Sequence, residues 1–493
     1  MQVTNSGTIS AVGQQAIRAR NTTNATITNN AGGVLSAANN TILAHDAGVS
    51  GLTITNSGTI FNTVGEDALR LENSSGTTIT NNAGGEIYTT GNAGVVKLGD
   101  SATLTNHGEI RNDTSVNNTS VWFFGDNSTL TIEESSKIVG MIDIESGTTG
   151  STIQVNQGYG QTYFYDTTGT GAYTVQDLSG NAIVKGSAGS VGQGAQESID
   201  ERLGLRTYNL RSALKRYITF PKDLIKDEIY VEPFSYYSKR GSNSSILSYE
   251  NYGYGLNFIY PLKSNKLDLV LTVEKSELEI QRDHDVSNTN FLAGFNAKDF
   301  LSLGSWKTSG FLVAGMGWHD GKRRIYTNTT TSGLLDVTSD YSSYEVITGS
   351  HANYRYSSGA TTLDTEIGIT LGFSLTPHYN ERGFFAWEER RLWQGGVHIG
   401  ETLTSKVSDN LTVTVGGELE HHSVLRGRKQ TYTINGTTAD TRHGQFWQNS
   451  VAGKLGANYS MNNNMVAYVN LDSRFSNLAR GTYGASVGLS LNF

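Results

Sequence analysis

The chain has 493 residues and a mass of 53.3 kDa, room for two or three domains. Only 17% of it is charged, against 24 Tyr, 17 Phe and 6 Trp, which excludes a disordered polyelectrolyte. It has no Cys, so disulfide frameworks, thiolate metal sites and cysteine nucleophiles are excluded, and its net charge of -8 argues against nucleic acid as the main partner. No apolar run of about 18 residues marks a transmembrane helix. Met1 is followed by Gln2-Val3-Thr4, without the basic and apolar segments of a signal peptide. The reading is therefore either a cytoplasmic protein or a piece whose natural start lies upstream.

The first 150 residues hold 18 Asn and 24 Thr but only 5 aromatics and no Pro. They repeat. V-T-N-S-G-T-I at Val3 recurs as I-T-N-N-A-G-G-V-L at Ile27, I-T-N-S-G-T-I at Ile54, I-T-N-N-A-G-G-E-I at Ile79 and L-T-N-H-G-E-I at Leu104, with a degraded copy at Leu130. A period near 25 residues, made of β-type triplets broken by Asn, Gly and Asp, predicts a right-handed parallel β-helix over 1–150. Stacked in register, Asn5, Asn29, Asn56, Asn81 and Asn106 form an amide ladder at a turn. Ile9, Leu35, Ile60, Ile87 and Ile110 stack inside. Residues 151–192 read as a junction, and Trp122, Phe123 and Phe124 introduce bulk suited to a closing rung.

Over 193–222 the period turns helical: Ile199, Leu203, Leu210, Leu214 and Ile218 recur with charges between them. A helix over 196–217 spans about 33 Å, the thickness of a bilayer core. It carries Arg202, Arg206, Arg211, Lys215 and Arg216, so it cannot face lipid and belongs in a polar lumen.

From 223 to 493 the chain reads as twelve strands of alternating polarity, starting near Glu228, Tyr249, Lys266, Asn290, Trp306, Ser342, Thr361, Gly383, Asn410, Phe446, Asn464 and Gly481, with 383–404 open to being two. One face is apolar with Tyr near its ends, the other polar or Gly, the pattern of an antiparallel transmembrane β-barrel. The last strand sets Ala485, Val487, Leu489, Leu491 and Phe493 against Ser486, Gly488, Ser490 and Asn492.

That ending resembles the C-terminal signal of bacterial outer-membrane barrels, with Ser486, Gly488, Leu491 and Phe493 in its positions and Leu491 where an aromatic is commoner. The whole order of parts resembles an autotransporter, a type V secretion protein: β-helical passenger, linker helix, twelve-stranded translocator. The resemblance implies an outer-membrane location with the passenger at the cell surface, an adhesin-like passenger, no cofactor, and membrane lipid, barrel-assembly machinery and periplasmic chaperones as partners. The segment from Phe124, with G-M-I-D-I at Gly140, is similar to the junction that helps such passengers fold. Some members cleave their passenger beside paired asparagines in the barrel; here Tyr208-Asn209-Leu210 offers a single Asn.

Catalytic readings fail one by one. Gly99-Asp100-Ser101-Ala102 resembles a serine nucleophile turn, but the next rung repeats it as Gly125-Asp126-Asn127-Ser128, with Asn in place of Ser, which marks a structural turn. His45 and Asp46 lack a second ligand or triad partner. His421 and His422 are adjacent in a strand and face opposite ways. Lys322, Arg323 and Arg324 are expected on an exposed loop or rim. No metal site is expected. The remaining constellation is the lumen, where Asp364, Glu366, Glu418 and Glu420 face inward and the helix supplies Arg202, Arg206, Arg211 and Lys215. Solvated pairs across that space contribute about 0.2–1 kcal/mol each; the alternative is a hydrated wall beside a hydrated helix. A β-helical polysaccharide-degrading enzyme on the same anchor and a porin-like channel stand as alternative functions.

Overall fold

The structure is a computed structural model and describes residues 1–44, 48–184, 186–219, 229–262, 266–382, 385–442, 447–462, 465–477 and 480–491. His45, Asp46 and Phe493, and the expected strand starts at Glu228, Gly383, Phe446 and Asn464, lie outside the described residues. The chain divides into two units. The first is Met1–Gln193 with segments 324–337 and 433–439; the second is Gly194–Arg323, Thr338–Tyr432 and Asp440–Phe493.

The first unit is a parallel β-solenoid. Among the described residues, three sheets of eight, six and seven strands run along it, each strand pairing with its counterpart one turn away. The repeat dictates the register: Ile27 pairs with Ile54, Ile54 with Ile79 and Ile79 with Leu104. Leu35, Ile60, Ile87 and Ile110 are fully buried, while Ile9, near the first edge, is half-buried. The Asn side chains form a continuous ladder. Asn5 Nδ2 donates to Asn29 Oδ1 at 2.8 Å, Asn29 to Asn56 at 2.9 Å, Asn56 to Asn81 at 2.8 Å and Asn81 to Asn106 at 2.8 Å. Each is buried, so each amide must be satisfied within the chain; a second donation from Asn56 Nδ2 reaches Glu86 O.

Parallel pairing does not stop at residue 150. Ser151–Asn156 pairs with Thr129–Glu133, and Tyr173–Asp177 pairs with Ser151–Asn156. Phe123 lies in the continuous core rather than in a closing rung, because one inward aromatic fits the interior that Leu and Ile fill elsewhere. Trp122 and Phe124 point outward, edge to face, and the Lys97 ammonium lies 4.2 Å from each ring centroid. Ser101 and Asn127 share the same left-handed backbone (φ 54° and 55°), and Ser128 Oγ donates to Gly99 O, so the two turns are one structural motif repeated. Nearby, burial pushes the Asp67 carboxyl up to about 6, against the pull of the Lys97 and Arg70 cations.

Among the described residues, the second unit holds one helix, α1 (Ala195–Thr219), and a barrel of twelve antiparallel strands. These are β1 (Ile229–Arg240), β2 (Tyr249–Pro261), β3 (Leu267–Ile280), β4 (His284–Leu303), β5 (Trp306–Thr327), β6 (Leu334–Ser358), β7 (Thr361–Thr376), β8 (Arg390–Lys406), β9 (Leu411–Arg426), β10 (Trp447–Asn462), β11 (Met465–Ser476) and β12 (Arg480–Leu491). Each pairs with the next, and β12 pairs back onto β1, so the barrel is closed and has no free edge. β4 and β6 begin earlier than alternation alone indicates, at His284 and Leu334. Their outward residues there, Asp285, Ser287 and Thr289 on β4 and Asp336, Thr338, Asp340 and Ser342 on β6, are polar, so the pattern starts only where the outward face turns apolar. Phe385–Trp387 is a separate short strand before β8.

Outward residues such as Leu256, Phe291, Ile367, Val397, Leu419, Leu455 and Val487 are exposed and apolar. No described helix is long and apolar enough to cross a membrane; the strands carry the apolar face. Near the end of β12, Gly488 leaves room for a ring: a Cβ there would stand 2.1 Å from Tyr468 Oη. Tyr468 stacks on Tyr230 at 4.9 Å and donates to Val231 O at 2.7 Å. Ser486 is buried on the inward face and Leu491 is half-buried.

A helix held in the barrel lumen by buried ion pairs

Helix α1 forms because residues 195–219 hold no Pro and one Gly, with Glu197 in the first turn and Arg216 in the last, both favourable to the helix dipole. It is about 37 Å long at 1.5 Å per residue. Gly204 sits where the wall comes close: a Cβ there would be 3.1 Å from His422 Nε2. That approach accounts for a residue that costs about 1 kcal/mol in a helix interior.

The helix is buried nearly all round, and its charges are sorted along its length. Its first two turns are acidic and meet wall arginines. Glu197 Oε1 lies 3.2 Å from Arg240 Nη1. Glu201 pairs with Arg240, lies 3.3 Å from Arg480 Nη1 and accepts from Tyr249 Oη at 2.5 Å. Asp200 accepts from Arg390 Nη1 at 2.8 Å.

Its remaining turns are basic and mostly meet wall carboxylates. Arg206 is 2% exposed and donates from Nη1 to both Glu345 oxygens at 2.8 and 2.6 Å, and from Nη2 to Glu274 Oε1 at 3.0 Å and Asn288 Oδ1 at 2.8 Å. Arg211 donates to Glu418 and lies 3.7 Å from Glu366 and 3.8 Å from Glu420. Lys215 Nζ lies 3.7 Å from Glu366. Arg216 donates to Glu232 at 3.0 and 2.5 Å.

Three of the expected lumen residues have other partners. Arg202 Nη2 lies 3.2 Å from His319 Nδ1, and its Nη1 reaches Val286 O at 3.5 Å. Arg206 uses Glu274 and Glu345, which alternation places on the inward face of β3 and β6. Asp364 accepts from Arg355 of the adjacent strand at 2.7 Å instead of from the helix. The geometry brings Glu366, Glu418 and Glu420 together around Arg211. The acidic helix start and its arginine partners were readable only as unassigned charges, since their wall partners lie 39 to 279 residues away in sequence.

The pairs are also drier than a water-filled channel implies. Arg206, Arg211, Glu274, Glu366 and Glu418 are each less than 5% exposed, and an apolar stripe supplements them. Leu203, Leu210, Leu214 and Tyr217 pack in one cluster with the inward-facing Ile259, Val270, Leu292, Phe311, Val313 and Ile347. Sequence alternation marks these wall residues only weakly, because β2 to β5 are apolar on both faces over this stretch. Arg323 is likewise buried, in an ion pair with Glu381 and under the rings of Phe385 and Trp387, whereas its neighbours Lys322 and Arg324 are exposed. His422 faces inward, 3.1 Å from Gln394 Oε1, and His421 outward. Among the described residues no group of three or more His, Asp or Glu is placed to hold a metal ion.

The chain is a β-solenoid followed by a helix-filled, twelve-stranded barrel. No protein-family model matches it, and no curated protein matches it in sequence. Among solved structures it is similar to the translocator domain of the autotransporter NalP from Neisseria meningitidis, at 10% identity over 60% of this chain and 98% of that one, with a TM-score of 0.47. It is similar also to the beta domain of the Bordetella autotransporter BrkA, at 10% identity over 54% of this chain and 100% of that one, TM-score 0.39. A third is the transport unit of the autotransporter AIDA-I from Escherichia coli, at 8% identity over 59% and 98%, TM-score 0.35.

Proposed function

We propose that the chain is an autotransporter: a bacterial outer-membrane barrel that carries its own N-terminal β-solenoid to the cell surface and anchors it there. One observation carries the reading. The segment that directly follows the solenoid in sequence, Ala195–Thr219, lies threaded through a closed barrel whose outer face is apolar, with buried pairs on the wall along its whole length. A porin-like channel has no use for a helix fixed in its lumen. The chain needs no nucleotide site for this task, since stepwise stacking of rungs outside the membrane opposes backsliding. The last strand, with Ser486, Gly488 and Leu491, is the segment that barrel-assembly machinery would read, after periplasmic chaperones deliver the chain.

The solenoid itself reads as a binding or spacer element, adhesin-like, with Asn, Thr and Ser faces that offer hydrogen bonds. Its one serine-nucleophile look-alike is the repeated structural turn, which supports binding over an enzymatic passenger. The test is display of the chain, fused behind a cleavable signal peptide, on intact cells of a Gram-negative host. An epitope inserted beside the exposed Val12 is expected to bind an impermeant antibody without lysis, and a variant lacking β12 is expected to lose that signal. Labelling that appears only after lysis refutes the reading.

A further inference from the structure

The outward face of β6 to β11 carries two shallow grooves that meet along a row of three residues. The first, of about 760 Å3, runs between Ile399, Leu419, Val451 and Phe475. The second, of about 610 Å3, runs along Leu371, Gly395 and Leu425, and owes its depth to small side chains at Thr348 and Ser350. Both are bordered by Ile369, Val397 and His421.

His421 is polar where its outward neighbours on β9, Val415 and Leu419, are apolar and exposed. It is held rather than loose. Its Nδ1 lies 2.7 Å from Asn449 Oδ1 and its Nε2 lies 2.9 Å from Ser423 Oγ, while Trp447 stacks beside its ring at 6.4 Å. An amide oxygen only accepts, so the imidazole donates from Nδ1. The Asn449 backbone N–H in turn donates to Asn477 Oδ1 at 3.0 Å. This arrangement uses the oxygens of Asn449 and Asn477 and leaves their exposed amide N–H2 groups donating to nothing among the described residues.

Acyl chains cover any apolar belt, and one lipid exchanges for another there at little cost, so the grooves alone select nothing. Donors at the edge of such a belt do select, because hydrogen bonds strengthen where water is scarce. Two troughs diverging from a cluster with unused N–H groups match a molecule with two chains and an anionic, acceptor-rich head. We propose that this junction binds one diacyl phospholipid, its phosphate oxygens on the Asn449 and Asn477 amides beside His421 and one chain in each groove. The proposal rests on the barrel spanning a membrane.

The test is native mass spectrometry of the full chain, released from detergent micelles holding equal amounts of dipalmitoyl phosphatidylglycerol, the matching diacylglycerol and lipid A. One retained phosphatidylglycerol per chain is expected, with the phosphate-free diacylglycerol retained about tenfold less. His421→Phe and Asn449→Val, both suited to a lipid-facing position, are each expected to lower retention about tenfold. Thr365→Val, outward on β7 but outside both grooves, is expected to leave it unchanged. Retention of no lipid, equal retention of diacylglycerol, preference for lipid A, or full retention by both variants overturns the proposal. Flotation of the same protein with phosphatidylglycerol vesicles separates the two levels: a chain that floats but retains no lipid loses this site alone, and one that does not float loses the membrane reading as well.

Discussion

Arg206→Met is the sharpest perturbation of the lumen. Arg206 makes four hydrogen bonds to three wall side chains, two of them carboxylates that are no more than 5% exposed. Methionine keeps the length and the apolar stem but leaves Glu274 and Glu345 buried without their cation. Breaking a buried pair from one side costs about 3–5 kcal/mol, which at about 1.4 kcal/mol per decade is a change of two to three and a half decades in the balance between docked and displaced helix. Other pairs still hold the helix, so the barrel remains plugged most of the time while brief openings become more frequent. Single-channel recording in planar bilayers reads this directly, as an opening frequency raised at least a hundredfold over the parent. The triple variant Arg206→Met, Glu274→Gln, Glu345→Gln removes the orphaned charges and is expected to return most of the way to parental behaviour, since a neutral replacement of a buried pair costs little. An opening frequency within threefold of the parent for Arg206→Met, or a triple variant leakier than the single one, refutes the reasoning.

Asn56→Ala removes an interior rung of the amide ladder and strands its partners on Asn29 and Asn81; a loss of about 3–5 kcal/mol is expected, seen as faster hydrogen exchange of amides 53–62 and 78–89, whereas Asn117→Ala, at an exposed position, costs under about 0.5 kcal/mol. Asp67 has a folded value of about 6, above its ordinary 3.8, so the solenoid holds an extra proton between those values and its stability falls as pH rises from about 4 to 6, then levels off. Asp67→Asn is expected to flatten that slope and to stabilise the solenoid at pH 7.5 by at most about 3 kcal/mol, and urea titrations at pH 4, 5, 6 and 7.5 check it. Gly488→Val drives a side chain into Tyr468 Oη and Val231 O, so the yield of heat-resistant barrel on gels is expected to fall at least severalfold while Ser473→Val, on the outward face of β11, leaves it unchanged.

Local repetition made the solenoid readable: an apolar-Thr-Asn triplet followed by a Gly turn and an apolar residue returns about every 25 residues, and Asn5 to Asn106 land on one another as the spacing requires. The barrel was readable where its outer face is apolar, and its strand ends were not, because polar extensions such as His284–Thr289 alternate nothing. Inward carboxylates on β7 and β9 came out of simple alternation. Which helix cation meets which of them did not, since that depends on the rotation and depth of α1 in the lumen, and Arg206 finds Glu345 across 139 residues of chain. The apolar inner wall at Val270, Leu292 and Val313 was hidden for a related reason: strands that are greasy on both sides carry no period to read.

The sorting of charge along α1 fixes more than affinity. Turned end over end, the helix would set Glu197 toward Glu232 and Arg216 toward Arg240, like against like at both ends. Slid by a single turn, about 5.4 Å, each side chain would leave its mate. On the proposed secretion role, a polypeptide travelling through this lumen would have one parking position and one heading. In that role the wall would work as a detent, passing neutral chain and catching this segment when both ends click into place together.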